Sequence, residues 1–396
     1  MKTLVINTGS SSIKFALFQM PSGQELASGL VEQIGEKLGA ISMKTSRDEF
    51  RESVAIPSHK EGLKLVSSWL LDPKYALIEL VSEVKAIGHR VVHGGEAFQK
   101  TILIDQKVKQ TIKELFGLAP LHNPANYEGI EVAELVFPGA QQVAVFDTAF
   151  HHTLPPRAYR YAVPNYLYTD YGIRVYGFHG TSHRYVAKVS AVFLGVPPKN
   201  ANMITIHLGN GASMTAIKKG KSIDTSLGMT PLSGLVMGTR VGDIDPGVIF
   251  FLEEEKGYSI EKVKALLNKE SGMKGLANNN DLREIIERAN NNEQEAVLAL
   301  DIYCYRIKKY IGAYIAAIGP IDAIVFTAGV GENSSLIRQM VCDQMTHLGL
   351  NLDPEKNNTR AEGIREINTK NSPVKILVTP TNEELEIANQ TYELLK

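Results

Sequence analysis

Only two cysteines, Cys304 and Cys342, occur in 396 residues. That is too few for a disulfide framework and suits a reducing cytosol, so a cytoplasmic location is the expectation. Net charge is almost absent, −1 from 42 basic against 43 acidic side chains. No global basic field therefore recruits nucleic acid or an anionic membrane, and any cation that grips phosphate must act locally. No apolar run of spanning length is left unbroken. The longest, 310–326, contains Gly319-Pro320 and Asp322 and reads as a buried helix end followed by a buried strand. Met1-Lys2 leads at once into strand and turn, so no signal peptide is expected. A Gly-x-x-x-x-Gly-Lys-Ser/Thr loop is missing, which excludes a Walker-type ATPase. No histidine–cysteine spacing suggests zinc. Flexible linkers are missing as well, so the domains should be joined by structured crossings.

What is present is a soluble globular composition, 44% hydrophobic and 21% charged, in a chain long enough for two cores. Its most informative feature is a unit that occurs twice. Residues 3–17 read TLVINTGSSSIKFAL, and residues 203–217 read MITIHLGNGASMTAI. In each, an apolar strand meets a turn of glycine and small polar residues, and a second strand follows. Such a turn can bring backbone N–H groups close to an anion, because glycine has no Cβ in the way. Two ordinary hairpins are the bland alternative. A third glycine-rich turn at 327–334, TAGVGENS, favours nucleotide binding by two similar lobes.

Strands and helices alternate, as in an α/β fold. The pattern predicts strands over 85–93, 142–147, 203–208, 323–327 and 375–379. Asn123-Pro124, Asp245-Pro246 and Thr381-Asn382 offer helix N-caps. A long helix is predicted over 294–318, with Ala296, Leu300, Tyr303, Ile307, Ile311 and Tyr314 on its core face. We place the lobes at 1–148 and 149–382, with a last helix, 383–396, packing back on the first.

Reactive polar residues cluster where predicted strands end, the usual ligand edge of an open α/β sheet. Arg90 and Arg240 stand in glycine-bracketed contexts, and a guanidinium fork suits carboxylate or phosphoryl oxygens. A structural salt bridge is the alternative for either. His179, also beside glycine, could donate to developing charge or be structural. Asp147 and Glu383, with Asn7, are hard oxygen ligands of the kind Mg²⁺ takes, although Glu383 could instead be a helix cap. Lys14 is the basic residue of the first hairpin.

The segments NTGSSSIKF (7–15), GHRVVHGG (88–95), LHNP (121–124), FDTAFH (146–151), YGFHGTSH (176–183), HLGNGAS (207–213), DTSLGMTPLSGLVMGTRVGDIDPG (224–247), TAGVGENS (327–334) and PTNEELEIA (380–388) resemble, in order, the acetate kinase family. The departures are Leu227, Ser233 and Val241, where methionine, glutamate and serine are usual. The resemblance implies a duplicated actin–hexokinase–Hsp70 fold of the α/β, ribonuclease H-like kind, with the active site in the interlobe cleft. It implies Mg²⁺ on Asn7 and Glu383, with Mn²⁺ as a candidate substitute, and ATP against Lys14. The backbone of His207, Leu208, Gly209, Asn210 and Gly211 would cradle phosphate. Leu282, Arg283 and Glu284, with Gly329, Val330, Gly331, Glu332 and Asn333, would surround adenosine. Arg90 would hold the substrate carboxylate, and Val92, Leu121, Phe178 and Pro231 its methyl group. Asp147 would be the active-site acid, while His179 and Arg240 would stabilise the transition state. A homodimer is implied too.

The implied reaction is ATP + acetate ⇌ ADP + acetyl phosphate, by direct in-line transfer. A carboxylic acid is already ionised at neutral pH, so the nucleophile needs no general base. Asp147 is therefore expected to orient the metal or a water in its shell, with proton transfer as the alternative. A preference for propionate or butyrate is the nearest rival. A nucleotide-dependent conformational or filament protein is the rival from another class, and it leaves the two arginines without a purpose.

Overall fold

The computed structural model describes residues 1–396. The chain divides into two compact units, one of 1–150 with 382–396 and one of 151–381.

The first unit is built on β1 (Lys2–Thr8), β2 (Ser12–Gln19), β3 (Gln24–Glu32), β4 (Gly39–Thr45), β5 (Glu49–Val54), β6 (Val84–Val91), β7 (Ile102–Leu103) and β8 (Gln141–Phe146). Their order across the sheet is β5-β4-β3-β2-β1-β6-β8-β7, with β1, β6 and β8 parallel and the rest antiparallel to their neighbours. Alternation along β1 sends Leu4 and Ile6 to one face and Val5 to the other. Leu4 and Ile6 join the core under helices His59–Leu71 and Asn123–Val136. Val5 packs with Ala16, Phe18, Val145 and, from the helix Glu383–Leu395, Ile387 and Ala388. That helix lies so close to β6 that a Cβ on Gly88 would come within 2.5 Å of the Thr391 hydroxyl. Packing, not ligand access, is what requires glycine there.

The second unit contains β9 (Met203–Leu208), β10 (Ala212–Lys218), β11 (Lys221–Thr225), β12 (Ala323–Thr327), β13 (Arg365–Glu366) and β14 (Lys375–Val378). The order is β11-β10-β9-β12-β14-β13. Each sheet thus pairs a hairpin (β1–β2 or β9–β10) with two further parallel strands and an antiparallel edge. The duplication read from the hairpins extends to both sheets. β9 and β12 have the expected bounds, as does the helix Gln294–Ile318, whose buried face includes all six predicted core residues. β6 stops at Val91, two residues earlier than predicted, and β8 stops at Phe146. Asn123 is not a cap: His122 is the N-cap residue, and the Asn123 amide is spent on both backbone groups of His93.

Candidate active site

In the first unit the chemistry gathers at the carboxyl ends of β1, β6 and β8. Arg90 donates from Nε and Nη2 to Asp147 Oδ2 (2.9 and 2.5 Å) and from Nη1 to Asn7 Oδ1 (3.3 Å). Parallel pairing of β1 with β6 and of β6 with β8 sets these residues side by side. Three of the five guanidinium N–H groups are thereby committed. Two remain, one on each terminal nitrogen, which is the number a carboxylate needs.

Glu383, the first residue of its helix, has Oε2 4.0 Å from Arg90 Nε. Burial pushes its carboxyl above the usual range, Asp147 and Glu384 push the same way, and Arg90 and Lys14 oppose them. Three carboxylates, Asp147, Glu383 and Glu384, thus stand beside two cations, Arg90 and Lys14. Two carboxylates and an amide oxygen in such a setting fit Mg²⁺, which takes one or two carboxylates and leaves positions for phosphate and water. Lys14, opposite Asn7 on β2, is ion-paired to Glu384 at 2.6 Å.

In the second unit the β9–β10 turn is the focus. Gly209 N–H bonds Gly211 C=O (3.0 Å), closing the turn tightly. A Cβ on Gly211 would lie 3.5 Å from His179 Nε2 and 3.8 Å from Arg240 Nη1, so both side chains converge on this turn. Gly177 and His179 both take positive φ, +76° and +56°, which turns the chain into the helix Gly180–Phe193. The His179 ring stacks on His207 (4.5 Å between centroids), and its Nδ1 lies 2.8 Å from Ser213 Oγ. Ser213 Oγ is also 2.8 Å from His183 Nε2, and Thr205 Oγ1 is 2.7 Å from His183 Nδ1. Burial, with His151 and His207 adding to it, holds His183 well below the ordinary histidine range. When His183 donates from Nε2 to Ser213, the Ser213 hydroxyl donates to His179 Nδ1 and the His179 proton sits on Nε2, where a donor is useful.

Arg240 differs from Arg90 in its partners. Its Nη1 donates to Pro231 C=O (3.0 Å) and lies 3.9 Å from Met237 Sδ, and no carboxylate pairs with it. Burial alone depresses its pKa. The loop that carries it is clamped by Ser271 and the first turn of helix Gly272–Ala277. Ser271 N–H bonds Thr239 C=O, Met273 N–H bonds Met237 C=O and Lys274 N–H bonds Gly238 C=O, at 2.9–3.1 Å. Val241 adds its N–H to Leu267 C=O (3.1 Å), a backbone bond indifferent to the side chain there. The Arg240 guanidinium is therefore half-buried, held by its loop and without a counter-ion.

Beside it opens a cavity of about 850 Å³, lined by Gly209, Asn210, Leu282, Arg283, Gly329, Val330 and Asn333 among others. That volume accommodates a nucleotide.

The acetokinase family model matches residues 2–389. A Flavobacterium johnsoniae protein named acetate kinase is 53% identical over 396 residues, covering all of both chains. The chain belongs to the acetokinase family. Among solved structures, Porphyromonas gingivalis acetate kinase superposes with a TM-score of 0.95 at 44% identity, covering 100% of both chains. A Francisella tularensis propionate kinase gives 0.93 at 42% identity, covering 99% of each.

The acetokinase resemblance drew some residues into these groups and left others apart. Arg90, Asp147, Asn7 and Glu383 meet in one unit, and His179, Arg240 and the 207–211 turn meet in the other. His207 and Leu208 are buried β9 residues, and Leu208 is fully covered. Glu332 is engaged elsewhere, its carboxylate accepting the N–H of Thr381, beyond β14, at 3.1 Å. Arg283 pairs with Asp281 (2.6 Å) while remaining largely exposed, and Glu284 accepts from the Asn279 amide (2.5 Å). Phe178 and Val92 are buried, whereas Leu121 is 63% exposed. Ser213, Glu384 and the cavity-lining Ile286 and Arg360 were not anticipated. Ser213 closes the HLGNGAS motif, a signal that was available; Ile286 and Arg360 carry none.

Proposed function

We propose that this protein catalyses the reversible, Mg²⁺-dependent transfer of the γ-phosphoryl group of ATP to acetate, giving acetyl phosphate and ADP. The observation that carries this reading is Arg240, a fixed cation without a counter-ion at the glycine turn beside a nucleotide-sized cavity. In the proposed reaction a carboxylate oxygen of acetate bonds to the γ-phosphorus as the bond to the ADP oxygen breaks. Charge in the transition state spreads over the equatorial oxygens. Arg240 and His179 Nε2–H donate to them, and such preorganised donors supply most of the catalysis. The two uncommitted N–H groups of Arg90 hold the acetate carboxylate. Asp147 holds Arg90 in orientation and, with Asn7 and Glu383, forms the metal's protein ligand set. Bound Mg²⁺ would neutralise phosphate charge. Gly329, Val330 and Asn333, with Leu282 and Arg283, line the nucleoside position.

The likeness to a propionate kinase at 42% identity supports a second reading, with propionate as acceptor. ATP turnover with hydroxylamine trapping of acyl phosphate, run with acetate, propionate and butyrate, separates the two. Acetate should give the highest kcat/KM; no hydroxamate from any acid would remove the kinase reading altogether.

A homodimer is proposed as well. The helix Gly247–Glu254 buries none of its residues and exposes Val248, Phe250 and Phe251, an apolar surface suited to a second copy. The absence of any disulfide, with both cysteines free and buried, supports a reducing, cytoplasmic location.

A further inference from the structure

Arg338 is among the largest side chains that are fully buried, with 1% of its surface exposed. It sits in the helix Ser335–Cys342 and has no carboxylate partner. Its donors go to neutral acceptors: Nη1 to the carbonyls of Gly331 (2.9 Å) and Glu332 (3.0 Å), Nε to Asn357 Oδ1 (2.8 Å), and Nη2 to Asn357 C=O (2.9 Å). Asn357, itself 1% exposed, donates to Ser335 C=O at 2.8 Å and so locks the guanidinium from the far side. A second arginine, Arg365, donates Nη2 to the same Glu332 carbonyl (3.1 Å).

A buried cation without a counter-ion is costly, so its recurrent acceptors indicate what it is for. They are the last carbonyls of the short helix Ala328–Asn333, which have no partners within that helix. A neutral side chain could not fill two of them and bridge to Asn357 as well. The segment needs such support. It leaves β12 through Ala328 at φ +63°, a left-handed conformation that a non-glycine residue adopts only under constraint. Its other side forms one wall of the 850 Å³ cavity through Gly329, Val330 and Asn333.

We infer that Arg338, assisted by Arg365 and locked by Asn357, is a positioning residue for nucleotide, holding the Gly329–Asn333 wall in its binding conformation from behind. The inference rests on the reading of that cavity as the nucleoside site. It assigns Arg338 to preorganisation: without it, part of the nucleotide's binding energy goes into ordering the loop.

The test measures KM for ATP and for acetate, kcat and Tm for Arg338→Gln, Arg338→Lys, Arg365→Gln and Asn357→Ser, with Val330→Trp as a probe of the cavity. Arg338→Gln should raise the KM for ATP roughly tenfold or more, the scale of a lost charge-assisted hydrogen bond. KM for acetate should stay within about twofold and kcat within about threefold. Arg338→Lys, which keeps the charge and one donor atom, should recover part of the loss, and Arg365→Gln should show the same split more weakly. A purely structural arginine would lower Tm and the active fraction while leaving both KM values alone, which would overturn the inference. If Arg338→Gln does not fold, the half-buried Arg365 and the Asn357 variant decide: unchanged KM for ATP in both refutes it. Val330→Trp separates the two readings. If it leaves KM for ATP unchanged, the cavity assignment fails; if it raises KM for ATP and the arginine variants do not, the positioning role alone fails.

Discussion

Replacing Arg240 by alanine should abolish most turnover without loosening the protein, a combination set by its partners. Arg240 neutralises no carboxylate, and its one short hydrogen bond goes to the Pro231 carbonyl. Its removal therefore strands no buried charge and relieves the desolvation that already depresses its pKa. Tm should hold within a few degrees. Arg90→Ala is the contrast, because it leaves Asp147, 1% exposed, without its cation. Breaking a buried pair in that way costs about 3–5 kcal/mol. An arginine that meets the transferring phosphoryl group only in the transition state contributes about 10³-fold or more to kcat, or roughly 4 kcal/mol of barrier. Arg240→Ala should lower kcat by that factor with little change in the KM for ATP. Arg240→Lys should rescue weakly, because a point charge does not reproduce the fork. The assay is hydroxamate formation at saturating ATP, beside thermal unfolding of the same preparation. A kcat within about tenfold of the parent, only ~1.4 kcal/mol of barrier, would refute the assignment.

Asp147→Asn and Glu383→Gln should lower Mg²⁺ affinity and kcat together, with activity partly restored at high Mg²⁺. A shifted pH–rate profile with unchanged metal dependence in Asp147→Asn would favour proton transfer. The Glu383 carboxyl is raised to about 7 in the folded protein, so the folded state holds the extra proton. Its stabilising contribution is then complete below the ordinary carboxylate range and is lost as pH rises through about 7. Glu383→Gln should flatten that part of the stability–pH curve in metal-free buffer, read by urea unfolding at several pH values; an unaltered slope contradicts the shift. Mg²⁺ binding near pH 6 should release a proton, seen as buffer-dependent heat in calorimetry. Val92, buried just beyond β6, should make acetate preferred over propionate by roughly 10–200-fold. Val92→Ala should narrow that ratio, and an unchanged ratio removes Val92 from the methyl pocket.

Elements with strong periodicity were legible in the chain alone. β9, β12 and the helix Gln294–Ile318 are continuous apolar runs or clean helical stripes bounded by breakers. β5, exposed at four of six positions, and the two-residue β7 carry no such signal and depend on neighbouring strands. Glycine was the residue type most easily misread. Gly88 serves the packing of helix Glu383–Leu395 rather than a ligand, whereas Gly238 leaves room for the Asn210 side chain and lines the 850 Å³ cavity as well. The meeting of Asn7, Arg90, Asp147 and Glu383 spans almost the whole chain. Residue type and position at strand ends suggested Asn7, Asp147 and Glu383 as metal ligands; the family motifs joined Arg90 to them as the substrate's partner. Arg338 was invisible, since an arginine on a helix ordinarily reads as a solvated face.

The first unit is finished by the end of the chain. Val5, Ala16, Phe18 and Val145 gain Ile387 and Ala388 as partners from the helix Glu383–Leu395, with the whole of 151–381 between them in sequence. During synthesis an apolar face of that sheet therefore stays open while the second unit emerges, long enough to attract chaperones or neighbouring nascent chains. Glu383 arrives with the same helix, so the acidic cluster around Arg90 is incomplete until the last turns of the protein leave the ribosome. A nonsense mutation near residue 380 would spare every strand of both sheets, yet it would uncover the first unit's core and remove an acid of its site in one step.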